Sequence, residues 1–261
     1  MDGSDATPPG GGGKDWLGDA RVAFAFLTRL PLTATATPGR LGAAAWAFPV
    51  VGLAVGALAG VVYMVAVLLG LPAMLAAVFA VACQVMATGA LHEDAVADVA
   101  DGFGGGASAE RKLDIMRDSR LGTYGAVALV LILAARLGAL ATIAEPGAVL
   151  AALLATGALS RAGVVALMEW LAPARRDGLG ASAGRPGGLN LGLALAIAIP
   201  VTLIALGPGA GTAALIAGAV GAVAVGWLAR RQIGGHTGDV LGAGQQGAET
   251  LALVTLAALL G

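Results

Sequence analysis

The sequence predicts an all-α fold, a polytopic integral membrane bundle of about seven transmembrane helices. The first observation is composition: 58% of the 261 residues are hydrophobic and 12% are charged, whereas soluble domains carry about 25% charged residues. The second is the abundance of small residues, 61 Ala and 42 Gly, which let helices pack closely in lipid. The net charge of -1 argues against nucleic-acid binding, which needs a strong basic excess.

Residues 1–15 are rich in Gly and Pro and predict a flexible tail ahead of a single integral membrane domain over 16–261. The tail has no apolar core beside a basic segment, so it does not read as a secretory signal. Residues 16–32 are mildly amphipathic and are expected to lie at the membrane interface. Cys83 is the single cysteine and stands in an apolar run, which argues against a disulfide framework or a thiolate zinc site.

Seven stretches reach or approach the roughly 20 apolar residues that a transmembrane helix needs. The last of them is short, and a Gly-Pro-Gly break at 207–209 predicts that 191–229 forms a hairpin of two helices. The predicted spans are 44–69, 72–91, 124–144, 148–171, 191–207, 210–229 and 248–260.

The distribution of Lys and Arg predicts the orientation. Thirteen of the 15 basic residues lie before span one, between spans two and three, between spans four and five, or after span six. The positive-inside rule makes that side cytoplasmic. We therefore expect a multi-pass membrane protein with its N-terminus and its polar loops in the cytoplasm.

Two basic residues, Arg136 and Arg161, fall inside predicted spans. A charge at that depth is costly unless it is paired or faces a water-filled cavity. The sequence leaves open whether they serve function or a structural contact. Gly52, Gly56 and Gly60 repeat every four residues and predict a close helix-packing face.

An acidic segment follows span two as an extension of its cytoplasmic end. At 100° per residue, Asp94, Asp98 and Asp101 lie within about 60° of one another on a helix. Three carboxylates on one stripe favour a bound cation, and hard oxygen donors favour Mg²⁺ or Mn²⁺; the alternative is a solvated acidic face. We include Glu93 as a fourth candidate ligand. His92 projects from the opposite side and is a candidate catalytic group.

Three further polar segments are predicted on the same face. The first has arginines, which offer planar forks for phosphate oxygens beside a metal site, and the sequence predicts phosphoryl transfer. Asp118 and Asp239 are candidates to orient an attacking hydroxyl or to hold a second ion. The candidate substrate-binding residues are Arg117, Ser119, Arg120, Arg175, His236 and Gln245.

The order and spacing of these motifs resemble the cobalamin synthase family, the adenosylcobinamide-GDP ribazoletransferases. The resemblance runs over almost the whole chain, through the segments HEDAVADVADGFGGG, DIMRDSRLGTYG, RDGLG and IGGHTGDVLGA. Two departures are Ala95, where the family pattern leads us to expect Gly, and His236, where Gln is frequent.

The resemblance implies a Mg²⁺-dependent transferase of vitamin B12 biosynthesis in the bacterial cell inner membrane, with 16–261 as its catalytic domain. Such an enzyme joins adenosylcobinamide-GDP to α-ribazole or α-ribazole 5′-phosphate and releases GMP. Two alternatives stay open: a CDP-alcohol phosphotransferase-like enzyme and, from another class, an ion-coupled transporter. The expected partners are the two substrates and the lipid bilayer; a homo-oligomer or an association with other corrin-pathway enzymes is left open.

Overall fold

The computed structural model describes residues 15–33 and 39–261. The regular elements in these ranges are all helical, which confirms the all-α class; one isolated β-bridge joins Pro173 and His236. The predicted tail lies outside the described residues except for Asp15, whose side chain caps the first helix. In chain order the helices are α1 (Trp16–Leu27), α2 (Arg40–Ala44), a 3-10 turn (Ala45–Ala47), α3 (Phe48–Leu68), α4 (Ala73–Thr88), α5 (Leu91–Gly105), α6 (Ala109–Ile115), α7 (Thr123–Ile143), α8 (Pro146–Trp170), α9 (Leu179–Ser182), α10 (Gly187–Ile233) and α11 (Gly238–Leu260).

Within the described ranges, four helical segments are long and apolar enough to cross a membrane, or up to five if the bent pair α4 and α5 counts as one span. The four are the continuous stretch Arg40–Leu68, α7, α8 and α10. The 47 residues of α10 are interrupted at Gly207, whose φ of 73° and ψ of 169° are not helical. A Cβ on Gly211 would lie 3.1 Å from the Cα of Leu203, so the two arms fold back on each other. The predicted hairpin is confirmed.

The remaining two predicted spans differ from expectation. Helix α4 has only 16 residues, and α5 does not extend it but turns away by 88°. The physical cause is the backbone at Gly89 and Ala90, which both adopt left-handed conformations with φ of 67° and 59° and end the helical hydrogen bonding. The last helix begins at Gly238 rather than near 248, because its polar residues are paired inside the bundle. In the described part of the chain, seven helices form the bundle when α4, α11 and both arms of α10 are counted.

The packing of α3 against α8 shows why glycine recurs every four residues. A Cβ on Gly52 would lie 2.0 Å from the carbonyl oxygen of Gly157, and one on Gly56 would lie 2.3 Å from that of Leu153. Backbones at this separation gain dispersion contacts that larger side chains would prevent. The predicted close-packing face is confirmed.

Candidate active site

The polar segments meet at one end of the bundle. The Arg117 guanidinium donates to both oxygens of Asp177, at 2.6 and 2.7 Å, and joins the loop before α7 to the segment after α8. Lys112 of α6 donates to Gln232 near the end of α10. The amide of Ala174 donates to the carbonyl of His236, which ties the segment after α8 to the loop before α11. The structure thus brings together segments that are far apart in the sequence.

Three carboxylates face one another across this end. Asp94 and Asp98 lie on α5, and Asp239 lies in the first turn of α11. The charges of Asp94, Asp239 and Asp101 all act on Asp98, and the charge of Asp94 acts on Asp239. Among the described residues, no group of three or more His, Cys, Asp or Glu side chains is placed so that it could hold a metal ion. The structure therefore gathers hard oxygen donors without forming a complete coordination shell.

Asp101 has a different environment from the other two residues of the predicted stripe. Its carboxylate accepts hydrogen bonds from the backbone amides of Gly122, at 2.7 Å, and Gly125, at 2.9 Å. A Cβ on Gly125 would lie 2.4 Å from an Asp101 oxygen, so glycine is required at this close approach. Asp101 fastens α5 to the N-terminus of α7, where a negative charge is favourable.

The structure does not bring Glu93 to the carboxylates with which it was grouped as a metal ligand. One of its oxygens accepts from Arg136 at 3.0 Å and from Gln246 at 2.9 Å, and the side chain is buried. The reason is helical geometry, since adjacent residues point about 100° apart. Glu93 thus faces the interior of the bundle, whereas Asp94 faces the end.

Arg136 and Arg161, whose role the sequence left open, belong to one buried ionic network. Glu249 of α11 accepts from Arg136 at 3.2 Å through one oxygen and from Arg161 at 2.8 Å through the other. All three side chains are at most 3% exposed. Four amide or hydroxyl side chains complete the network: Gln84, Ser160, Gln245 and Gln246. The two intramembrane arginines are therefore paired with a buried carboxylate.

Sequence reasoning missed Glu249 and placed Gln245 in a substrate site. Gln245 is fully buried and donates to Ser160 at 2.9 Å and to Glu249, so it contacts the network instead. A signal for Glu249 was present, because it is an acidic residue next to an apolar run and intramembrane carboxylates pair with basic residues. Its partners on other helices depend on packing, which the chain order does not reveal.

The arginines before α7 have carboxylate partners. Arg120 donates to Asp118 from Nε at 3.0 Å. The hydrogen bonds from the side chain and the backbone amide of Arg120 lower the pKa of the Asp118 carboxyl. Ser119 lies exposed between them. A cavity opens among the polar segments at this end of the bundle, and neither Arg117 nor Arg120 lines it. The structure therefore does not group these four residues with Asp94.

That cavity has a volume of about 190 Å³. Its polar lining consists of His92, Asp94, Arg175 and Asp239. Arg175 Nη2 lies 3.9 Å from an Asp239 oxygen, while its buried Nη1 has no hydrogen-bond partner among the described residues. A guanidinium with an unused donor, beside acidic side chains, is suited to a ligand that combines an anion with a cation.

His92 and His236 occupy different positions around this cavity. His92 is 3% exposed and contributes to the lining. His236 is also buried, outside the lining, and burial lowers its pKa.

The departure from the family pattern at Ala95 is accommodated by α11, because a Cβ on Gly242 would lie 2.5 Å from that of Ala95. A small residue on α11 thus makes room for the methyl group on α5.

Fold and site together define a helical membrane protein in which acidic and basic side chains from distant loops converge on a cavity at one end. The chain belongs to the cobalamin-5-phosphate synthase family, whose family model matches residues 19–257.

Several curated relatives carry the name adenosylcobinamide-GDP ribazoletransferase. The protein of Bradyrhizobium diazoefficiens is 48% identical over 247 residues, which cover 94% of this chain and 95% of that protein. The protein of Mesorhizobium japonicum is 46% identical, with 91% of this chain and 92% of that protein covered. The protein of Rhizobium johnstonii is 42% identical, with 95% and 99% covered. No solved structure matches the chain.

Proposed function

We propose that this protein is a membrane transferase that joins adenosylcobinamide-GDP to α-ribazole or its 5′-phosphate and releases GMP. Family membership supports the reaction. The structural observation that carries the proposal is the cavity in which Arg175 lies beside Asp94 and Asp239. Cationic and anionic groups in one cavity suit a diphosphate, which needs both direct contacts and a neutralising cation.

We propose Mg²⁺ as the cofactor, held by Asp94, Asp98 and Asp239. The donor set fits, because all three supply hard oxygens and their mutual repulsion would be relieved by a shared cation. This set replaces Asp101, whose oxygens already accept two backbone amides. When bound, the ion supplies charge neutralisation at the diphosphate and at the leaving phosphate.

The side chains of the cavity then have separate tasks. A hydroxyl of α-ribazole attacks the phosphorus attached to cobinamide, an O–P bond forms, and the bond to the GMP phosphate breaks. Arg175 holds a phosphate oxygen through its unused Nη1. His92 lines the cavity and is not one of the proposed metal ligands, so it orients the attacking hydroxyl and takes its proton. Orientation of this kind accelerates a reaction between two bound substrates.

Purified protein in lipid nanodiscs tests the proposal. We expect GMP to form only when adenosylcobinamide-GDP, α-ribazole and Mg²⁺ are all present, with corrinoid product and GMP in a 1:1 ratio. A related CDP-alcohol phosphotransferase activity would instead release CMP from a CDP-alcohol. GMP release without α-ribazole, or none with every component in an inserted and folded protein, would contradict the proposal.

Arg175→Lys is expected to raise the KM for adenosylcobinamide-GDP by about ten- to a hundredfold. Lysine keeps the charge but loses the planar fork, and a hydrogen bond to a charged group contributes about 1.5–3 kcal/mol. Arg117→Lys is the matched control, because Arg117 pairs with Asp177 outside the cavity; we expect less than a threefold effect, about 0.65 kcal/mol. A larger rise in KM in Arg117→Lys than in Arg175→Lys would contradict the placement of Arg175 at the phosphate site.

We further propose that the end with the cavity faces the cytoplasm and that the protein lies in the cell inner membrane. The one-sided distribution of Lys and Arg supports this orientation. Single cysteines at Gly178 and at Gly234, in a Cys83→Ala background, are expected to react with a membrane-impermeant maleimide in inverted vesicles but not in intact spheroplasts. Labelling in intact spheroplasts equal to that in inverted vesicles would contradict this orientation.

A further inference from the structure

The apolar walls of the cavity, here called its apolar end, have no role in the reaction described so far. Helices α1, α2, α3 and α8 supply most of its walls, through Phe26, Leu27, Leu41, Phe48, Val164 and Met168. We infer that this end binds the aromatic base of the acceptor nucleoside, a flat ring system with little hydrogen-bonding capacity. The inference rests on the proposed function and adds the location and the selectivity of one substrate.

The walls have the chemistry of a site for an aromatic ring. The rings of Phe26 and Phe48 lie with centroids 6.4 Å apart and planes inclined by 26°, within the range in which aromatic groups attract each other. The thioether of Met168 lies on the same lining, and sulfur makes favourable contacts with ring edges. A third flat ring can therefore be bound through contacts of the same kind.

Size and polarity select the base of α-ribazole over the other groups of the two substrates. The whole cavity, with its polar lining included, has a volume of about 190 Å³. This is far more than one water needs but less than the 300–1,000 Å³ typical of a site for a whole ligand. A corrin macrocycle is much larger. Guanine would leave several donors and acceptors without partners against apolar walls, and each such group is costly to bury. Dimethylbenzimidazole, the base of α-ribazole, has only one free ring nitrogen to leave without a partner, and its two methyl groups suit apolar walls.

The position of the apolar end also suits the chemistry. The same cavity has Asp94, Arg175 and Asp239 among its lining residues. A nucleoside whose base occupies the apolar walls carries its ribose toward these polar groups. The attacking hydroxyl then lies beside the proposed diphosphate site, so one bound orientation satisfies both halves of the cavity.

Isothermal titration calorimetry in nanodiscs, without adenosylcobinamide-GDP, tests the inference directly. A buried methyl group contributes about fourfold in affinity, so wild-type protein is expected to bind α-ribazole about fifteenfold more tightly than benzimidazole riboside, which lacks both methyl groups. Val164→Phe narrows the apolar end and is expected to weaken α-ribazole binding by about tenfold or more. Met168→Ala widens it and is expected to reduce the preference for the methylated base.

Val130→Phe is the matched control, because Val130 is exposed on α7, and it is expected to bind like wild type. Unchanged α-ribazole affinity in Val164→Phe together with an unchanged methyl preference in Met168→Ala would overturn the inference, even with GMP release intact. The inference would also be overturned if Val164→Phe lost a co-purified lipid without any change in α-ribazole binding. An acyl chain would then be the occupant of the apolar end. Normal α-ribazole binding and methyl preference without GMP release would instead refute the proposed function and leave the base site standing.

Discussion

Asp94→Asn is expected to lower the rate of GMP release by about a hundred- to a thousandfold in protein that inserts and folds normally. Asparagine keeps the size of the side chain but removes the charge that would hold Mg²⁺ beside the diphosphate, and electrostatic groups at a reacting centre contribute effects of this size. Activity at increasing Mg²⁺ concentrations measures the loss. Where activity survives, a higher Mg²⁺ concentration is expected for half-maximal rate.

Asp101→Asn provides the comparison on the same helix. Because Asp101 accepts amides of Gly122 and Gly125, we expect its replacement to lower thermal stability while the residual activity keeps the wild-type Mg²⁺ requirement. Asp94→Asn with wild-type activity at unchanged Mg²⁺ would leave only a solvated acidic face on α5.

Glu249→Ala is expected to prevent accumulation of folded protein in the membrane. The change leaves Arg161 buried without the carboxylate that pairs with it, whereas Arg136 loses Glu249 but keeps Glu93. Breaking one buried pair costs about 3–5 kcal/mol. A loss of this size is a large fraction of the whole stability of a typical domain, about 5–15 kcal/mol. Quantification of full-length protein in isolated membranes and size-exclusion chromatography in mild detergent measure the effect.

Asp118→Ala is a suitable control for this experiment. It also removes the carboxylate of an ion pair, but that pair is exposed, and exposed pairs contribute little. We expect membrane levels to be unchanged. Equal levels of Glu249→Ala and wild type would mean that the buried arginines find other partners.

Composition and periodicity were sufficient to predict the helical class, the hairpin at Gly207 and the packing of Gly52. These features depend on local properties, namely a long apolar run, a helix-breaking segment and a four-residue repeat. The turn between α4 and α5 was not predicted, because nothing in the side chain of Ala90 signals a left-handed backbone. That conformation is stabilised by the hydrogen bond from the Ala90 amide to the Val85 carbonyl and by packing of α5 against α7 and α11, which depends on the whole fold.

The site was predicted in part, for a related reason. Asp94 and Asp98 stand one helical turn apart, so their common face follows from the sequence. Asp239 and Arg175 are distant along the chain and reach the cavity only through the fold. Conversely, Arg117 looked well placed because it is close to the acidic segment in sequence, yet its side chain turns to Asp177.

The 88° turn between α4 and α5 has a consequence for how the enzyme would tolerate different lipids. Had α5 continued along α4, Asp94 and Asp101 would be separated by about 10 Å along that common axis, since a helix rises 1.5 Å per residue. Bilayers differ by several ångströms in hydrophobic thickness, and spanning helices adapt by tilting. A helix turned nearly perpendicular to its neighbour instead keeps its carboxylates at nearly one depth along the α4 axis. A change of lipid would then move them together, toward or away from water, with little change in the distances between them.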